Sequence, residues 1–217
     1  MDQTGKTLPQ AKLKLARASK QLNLLACEPK FNVRSKGATR NAYGAAAQII
    51  VCEAMGLWPI AIDGSCAINF DAEGVNDVFY EIKSVHQKSK IVIYDWRMDK
   101  EANSGVVFKY VICAHQLRGE RRGDRVIGRM AKGAELFVAD GGLIHRLAKT
   151  QPLNRINTEA PATSSGARNG YRRAGYKEGY RNLPLSLVRS QVTSTVVRKY
   201  SLFNRTRTIT INYCTND

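Results

Sequence analysis

The sequence predicts a mixed α/β (α+β) domain: a mixed β-sheet flanked by helices, with a basic, β-rich C-terminal extension. Three observations lead there. An Ala-rich apolar stretch with helical spacing stands before the middle of the chain. A series of short β-branched and aromatic runs follows, bounded by Gly, Asn and Asp. Two further β-branched stretches lie near the C-terminus. One helix leading a mostly antiparallel series belongs to the α+β or mixed α/β class. With 217 residues and 43% hydrophobic content, the chain suits one domain with an elaborated arm.

Residues 1–40 read as a basic N-terminal helix and connector, 41–150 as the core, and 151–217 as a basic extension of the same domain. From Leu8 to Ala26, leucines at 13, 15, 22, 24 and 25 stand among Lys and Arg, a basic amphipathic helix with Pro9 in its first turn. The polar connector EPKFNVRSKGATR follows. Thr39 or Asn41 suits the N-cap of a second helix through NAYGAAAQIIVCEAMGL, which Trp58-Pro59 ends. Strand character recurs at Ile60–Ile62, Cys66–Phe70, Val78–Val85, Ile91–Tyr94, Val106–Ala114 and Leu136–Ala139, with Asp63-Gly64 as the first turn. A basic, turn-rich insertion, RGERRGDR, separates the last two. Residues 158–170, TEAPATSSGARNG, have the clearest linker composition. Val192–Tyr200 and Thr206–Tyr213 read as a hairpin, a helix over the first being the alternative.

The formal net charge is +16. Residues 1–50 carry nine Lys/Arg against two acids, 51–150 fourteen against thirteen, and 151–217 eleven against three. Flanks of +7 and +8 thus enclose a centre of +1. Such flanks suit a polyanion, because each phosphate neutralised by Lys or Arg releases condensed counterions. Nucleic acid is expected rather than a membrane, since no basic stretch is backed by a strongly apolar face. No apolar run reaches the ~18 residues of a span, and no charged-then-apolar leader is present. Cys27, Cys52, Cys66, Cys113 and Cys214 are odd in number and scattered, without CxxC or a Cys/His cluster. That argues against zinc and a disulfide framework and points to a reduced, cytoplasmic protein. Neither GxGxxG nor GxxxxGK[ST] occurs, so no nucleotide cofactor is expected.

The chemistry-bearing stretch is FDAEGVNDVFYEIKSV, Phe70 to Val85. Strand alternation puts Glu81 and Lys83 on one face and Tyr80 and Ile82 on the other, a half-buried pattern. A turn about Asn76 sets Asp71 opposite Glu81, with Cβ atoms about 4.5–5.5 Å apart. Two carboxylates that close require a cation between them, and Mg²⁺ takes a few carboxylates together with waters and phosphate oxygens. Such an ion lowers the pKa of bound water, while Lys83 beside it can orient that water and stabilise charge growing on a phosphate. The residue types suit metal-assisted phosphodiester hydrolysis; an exposed strand with alternating charge is the plain alternative. Asp77, the rival first acid, lies roughly 13 Å from Glu81 in an extended strand and reads as turn chemistry. Glu73 and Asp63 read as loop residues.

For holding nucleic acid, GYRRAGYKEGYRN sets Arg172, Arg173, Lys177 and Arg181 among Tyr171, Tyr176 and Tyr180. Arg bridges phosphates or reads guanine edges, and Tyr donates to phosphate or stacks on bases. The alternative is a basic surface loop whose tyrosines pack. Arg118, Arg121, Arg122 and Arg125 form a second basic loop, diluted by Glu120 and Asp124. His86, three residues after Lys83, is a candidate for assistance at the scissile phosphate, with packing or solvation as the alternative. His115 and His145 read as structural.

Asp71, the gap of nine residues and Glu81-Ile82-Lys83 resemble the catalytic signature of the PD-(D/E)XK nuclease superfamily, an acid, a variable gap and (D/E)xK. The gap and the YEIKS context are most similar to type II restriction endonucleases of the PvuII kind, and EGYRNLPLSLV bears a faint likeness to the end of such chains. The resemblance covers residues 65–85 well, with Phe70 standing where the superfamily's name has Pro. It implies a restriction-endonuclease-like fold with a catalytic core over 41–150. Asp71 and Glu81 would bind Mg²⁺, for which Mn²⁺ substitutes, with the Ile82 main-chain carbonyl as third ligand and Lys83 at the attacking water. Glu53 is a further candidate ligand, because many members carry a glutamate on the helix before the sheet. The implied activity is Mg²⁺-dependent hydrolysis of double-stranded DNA, most similar to a sequence-specific type II restriction endonuclease. A homodimer is implied, since one site per chain must act twice to sever a duplex. A homing, phage or repair endonuclease, including a junction resolvase, would use the same chemistry. A non-catalytic nucleic-acid-binding protein is the alternative from another class.

Overall fold

The computed structural model describes residues 44, 47, 48, 50–59, 70–86, 90–122, 125–154, 179–202 and 205–214, with positions 59, 86, 115–122, 125–132, 201, 202 and 205 described by backbone alone. The expected basic helix over 8–26, the runs at 60–62 and 66–69 and the linker over 158–170 lie outside these residues.

Helical residues 44, 47, 48 and 50–55 form α1. Its apolar positions Ala47, Ile50, Val51 and Ala54 are buried, as the spacing predicts. The helix stops at Gly56, whose φ of 68° lets the Leu57 N–H donate back to the Cys52 carbonyl at 3.0 Å. Trp58-Pro59, expected only to end the helix, is the short strand β1 (Trp58–Pro59).

The remaining strands are β2 (Ala72–Glu73), β3 (Phe79–His86), β4 (Lys90–Tyr94), β5 (Phe108–Arg122), β6 (Arg125–Asp140), β7 (Leu153–Asn154), β8 (Tyr180–Pro184), β9 (Val192–Leu202) and β10 (Arg205–Cys214). Three further helices among the described residues are α2 (Asp95–Ala102), α3 (Gly141–Lys149) and α4 (Leu185–Arg189). The main sheet has seven strands in the order β1-β2-β3-β5-β6-β10-β9, and a smaller one runs β4-β8-β7. The class is therefore mixed α/β, an open mixed sheet flanked by helices.

As expected, the series is mostly antiparallel among the described residues, with six of the eight strand pairings of that kind, while β3 pairs β5 and β6 pairs β10 in parallel. Parallel neighbours need a crossover, and the β4–α2 segment supplies the one between β3 and β5. One feature differs from the sequence expectation: within RGERRGDR, residues 118–122 and 125 are strand and belong to a long hairpin in which β5 and β6 pair from Lys109↔Asp140 to Arg122↔Arg125. The C-terminal hairpin of β9 and β10 forms as strands and completes the main sheet through β10.

Both faces of that sheet are covered. Toward α1, Val111, Leu136, Val138, Ile209 and Ile211 pack with Ala47, Ile50 and Val51. On the other face Ile91, Ile93, Met98, Ile112, Phe137 and Ile144 pack beneath α2, α3 and α4. Each such side chain contributes about 1.5–3 kcal/mol when fully buried. At Gly133 a Cβ would lie 2.4 Å from the Thr208 carbonyl, so a side chain there would force β10 away from β6 where their pairing begins. Cys52, Cys113 and Cys214 are free and buried. No helix among the described residues is long and apolar enough to cross a membrane.

Candidate active site

The β2–β3 hairpin has the register that alternation and turn chemistry predict. Ala72 faces Tyr80 and Glu73 faces Phe79, and Asp71, one residue before β2, lies near enough to Glu81 for its charge to act on that carboxyl. The reversal passes through Asn76 and Asp77, both left-handed at φ 58° and 54°, a conformation that short polar side chains tolerate. Asp77 is thus a turn residue. Glu73, expected in a loop, is a buried member of β2.

Asp71 is held on three sides. Its N–H donates to the Tyr80 carbonyl at 2.9 Å, and its own carbonyl accepts from Gln48 Nε2 of α1 at 2.7 Å. Its Oδ2 accepts the Ile82 N–H at 2.7 Å. Within a strand the N–H and C=O of one residue point to the same edge. The Ile82 carbonyl therefore looks toward Asp71, away from β5.

Tyr80 and Ile82 pack against the α1-side core, as alternation requires. The opposite face departs from expectation, because Glu81 is not solvated and only 2% of its surface is exposed. The β4–α2 crossover lies over it and brings a partner. Glu81 Oε1 accepts from Lys83 Nζ at 2.5 Å, and Oε2 accepts from Arg97 Nη2 of α2. Arg97 Nε donates to Glu101 Oε1 at 2.8 Å, the i,i+4 position on the same helix. Glu101 Oε2 in turn accepts the Tyr110 hydroxyl at 2.7 Å and lies 2.9 Å from His145 Nε2. One polar chain thus runs from the half-buried Lys83 through Glu81, Arg97 and Glu101 to Tyr110 and His145.

The two glutamates in this chain behave differently. Burial pushes the Glu81 carboxyl above its usual range; Lys83 opposes this, Asp71 adds to it, and Arg97 opposes it. At Glu101 burial acts in the same direction, but hydrogen bonds from His145, Tyr110 and Arg97 outweigh it and hold the carboxyl low. Burial would lower Arg97, yet the Glu81 charge beside it raises the guanidinium further and keeps it protonated. In the Glu81–Arg97 pair the cation is secure and the anion is the weaker partner.

Arg97, Glu101 and Tyr110 were not signalled as site residues by composition. The Arg97/Glu101 spacing was a signal, but only for a segment read as helical. His145, expected to be structural, packs in this network. Glu53 is exposed on α1, and the α1 side chain that reaches Asp71 is Gln48. His86 ends β3 in register with His115.

The expected DNA-binding cluster divides. Tyr171, Arg172, Arg173, Tyr176 and Lys177 lie outside the described residues. Tyr180 lies in β8 with its ring centroid 6.2 Å from that of Tyr94. Arg181 makes a two-pronged contact with Asp95, Nε to Oδ1 at 2.8 Å and Nη2 to Oδ2 at 3.1 Å. Its Nη1 donates to the Lys149 and Gln151 carbonyls at 3.1 and 2.7 Å. The guanidinium therefore ties the start of α2 to the end of α3, where the sequence suggested a contact with DNA.

Among the described residues no group of three or more His, Cys, Asp or Glu side chains is arranged to hold a metal ion. The oxygen donors at hand are the Asp71 and Glu81 carboxylates and the Ile82 carbonyl. A small hard-oxygen set suits Mg²⁺ or Mn²⁺, whose remaining positions go to water and phosphate. No family model, no curated protein and no solved structure matches the chain.

Proposed function

We propose that the chain is a metal-dependent endonuclease of double-stranded DNA with a restriction-endonuclease-like core, closest in kind to a type II restriction enzyme and acting as a homodimer. The observation that carries this reading is the β2–β3 hairpin, which brings Asp71 near Glu81, with Lys83 two residues on along the same face. Asp71, Glu81 and the Ile82 carbonyl would hold Mg²⁺ or Mn²⁺. A divalent cation there supplies an acidified water and charge neutralisation on the phosphate.

The protein's own groups do the positioning. The Ile82 N–H fixes Asp71 by Oδ2, which leaves Oδ1 directed by the same clamp. Glu81 fixes the Lys83 ammonium at 2.5 Å, and the 26% exposure of the Lys83 side chain leaves it an open side from which to orient water. Its charge also stabilises the phosphorane-like transition state. Arg97, braced by Glu101, holds the far oxygen of Glu81 and thereby the rotamer of the whole carboxylate.

One observation favours a second reading. Both Glu81 oxygens already bond cationic side chains, as in a purely structural ion cluster, and a nucleic-acid-binding protein without catalysis would look the same. Incubation of the full chain with supercoiled plasmid and Mg²⁺ separates the two. Cleavage that falls roughly 100-fold or more in Lys83→Ala supports the enzyme. Binding without cleavage by either protein supports the second reading. Discrete fragments point to restriction, and selective cutting of four-way junctions to a resolvase.

A further inference from the structure

We propose that the free end of the β5–β6 hairpin is an arm that enters the major groove of B-form DNA. Pairing of β5 with β3 ends at His115, and pairing of β6 with β10 begins at Gly133. Beyond those points, among the described residues, β5 and β6 pair only with each other, from Leu117↔Met130 to Arg122↔Arg125. Six residues per arm make a two-stranded ribbon roughly 20 Å long. The register shifts between His115 and Leu117, at the rim of the sheet. Irregularities of this kind bend a ribbon and raise its twist.

The register sorts the residues onto two faces, since directly paired residues share a face and neighbours alternate. One face carries the pairs Arg118↔Arg129, Glu120↔Ile127 and Arg122↔Arg125. The other carries Leu117↔Met130, Gly119↔Gly128 and Arg121↔Val126. Four of the five arginines therefore share one face. Two of its three pairs oppose like charges, an arrangement that destabilises a hairpin standing alone. That face carries four arginines against the single acid Glu120, whereas the other carries one charged residue, Arg121. A polyanion laid on the arginine face removes the repulsion.

Groove dimensions select the polyanion. The major groove of B-DNA, about 12 Å wide, admits a two-stranded ribbon, whereas that of A-form RNA is too narrow for side chains to read. Arginine is also the side chain that bonds guanine O6 and N7 together. The parallel β6–β10 pairing brings the β9–β10 hairpin, with exposed Arg198 and Lys199, to the same end of the sheet. β3 runs toward that end as well, and Lys83 pairs with Ile112, roughly 16 Å below the ribbon's base. A duplex gripped there reaches the β3 acids without a second binding surface. The arm takes the double-stranded DNA partner from the function proposed above but does not depend on cleavage.

The test is fluorescence anisotropy of the full chain on a short random-sequence DNA duplex, with Ca²⁺ replacing Mg²⁺, across a salt series. In the variant carrying Arg118→Gln, Arg122→Gln, Arg125→Gln and Arg129→Gln, the slope of log K against log salt should shrink by about 3–4. The parent protein should also prefer the DNA duplex to an RNA duplex of the same sequence. An unchanged slope in a variant with unchanged circular dichroism overturns the arm. Should the variant misfold, dimethyl sulfate footprinting of the parent complex decides: protected guanine N7 supports the arm and unprotected N7 refutes it. A reduced slope in a chain that never cleaves would sink the nuclease and keep the arm. Lys83-dependent cleavage with an unchanged slope would do the reverse.

Discussion

On the α1 side of the main sheet, Tyr80 and Ile82 of β3 lie against Ile50, Val51, Ile209 and their neighbours. On the other side, one residue along, Glu81 is more deeply buried than either and is surrounded by Lys83, Arg97 and, through Arg97, Glu101. Aliphatic contacts are non-directional, so the first face loses stability in proportion to what is removed and repacks around small changes. Charged contacts in a dry setting depend on every member being present. The faces should therefore respond to substitution in different ways, although they share one strand.

The largest effect is expected at Arg97. Arg97→Ala leaves Glu81 buried with Lys83 alone and takes a donor from Glu101, a loss of about 3–5 kcal/mol typical of breaking a buried pair from one side. Removing both partners in Glu81→Gln/Arg97→Met should restore part of it, because position 81 no longer holds an uncompensated buried charge, although Glu101 still lacks its Arg97 donor. Urea midpoints of the three proteins measure this. If the double variant were no better than the single, the network would be additive like the apolar face, and the contrast would fail.

Acid titration sharpens the comparison within the polar face. Glu101, held below its unfolded value of 4.5, is charged in both states above that pH and contributes fully there. As pH falls below 4.5 the unfolded chain takes up the proton first, and stability is lost until the pH passes the folded value. Glu81 lies on the other side of 4.5, so as pH falls toward 4.5 the folded chain protonates first and stability rises. Urea midpoints between about pH 7 and pH 3 should thus climb and then drop. Glu81→Gln should remove the climb, and Glu101→Gln should soften the drop.

Ile209→Val probes the apolar side. It removes one methylene from a side chain buried beside Leu136 and Ile50, and should cost about 0.5–1.5 kcal/mol with no change in pH profile. A larger loss, or one that varies with pH, would mean that the faces are coupled through the strand.

What could be read from the amino acids was local. The Asn76-Asp77 reversal and the alternation around Tyr80, Glu81 and Ile82 determine the hairpin register within a dozen residues of chain, so Ala72 faces Tyr80 and Asp71 is brought near Glu81. The cover over Glu81 was not legible, because it comes from DWRMDKEA, a short charged helix that buries only Met98 and Glu101. α3 was hidden for a similar reason, since Gly141-Gly142 mimics a turn. The β5–β6 ribbon, paired only with itself among the described residues, carries no core-facing alternation, and its Gly and charged residues resemble a loop. The weight given to Asp71, Glu81 and Lys83 came from spacing and motif, whereas Arg97 enters only through a crossover.

Arg181 shows the same limit at smaller energy, and it yields the mildest of the expected effects. Its neighbours in sequence are tyrosine, glycine and further basic residues, a composition suited to grasping DNA. The β4–β8 pairing instead brings it against Asp95, 86 positions away. Hydrogen bonding to Asp95 raises the guanidinium; burial opposes this, and the Asp95 charge adds to the rise. The side chains are 18% and 19% exposed, so solvent screens part of the attraction. Arg181→Ala should therefore lower stability by only about 1 kcal/mol, more than a bare surface pair because two main-chain carbonyls also lose a donor. The salt slope of DNA binding should stay unchanged, in contrast to the ribbon variant. A slope reduced by about 1 would instead return Arg181 to the phosphate-contacting surface that its sequence context suggests.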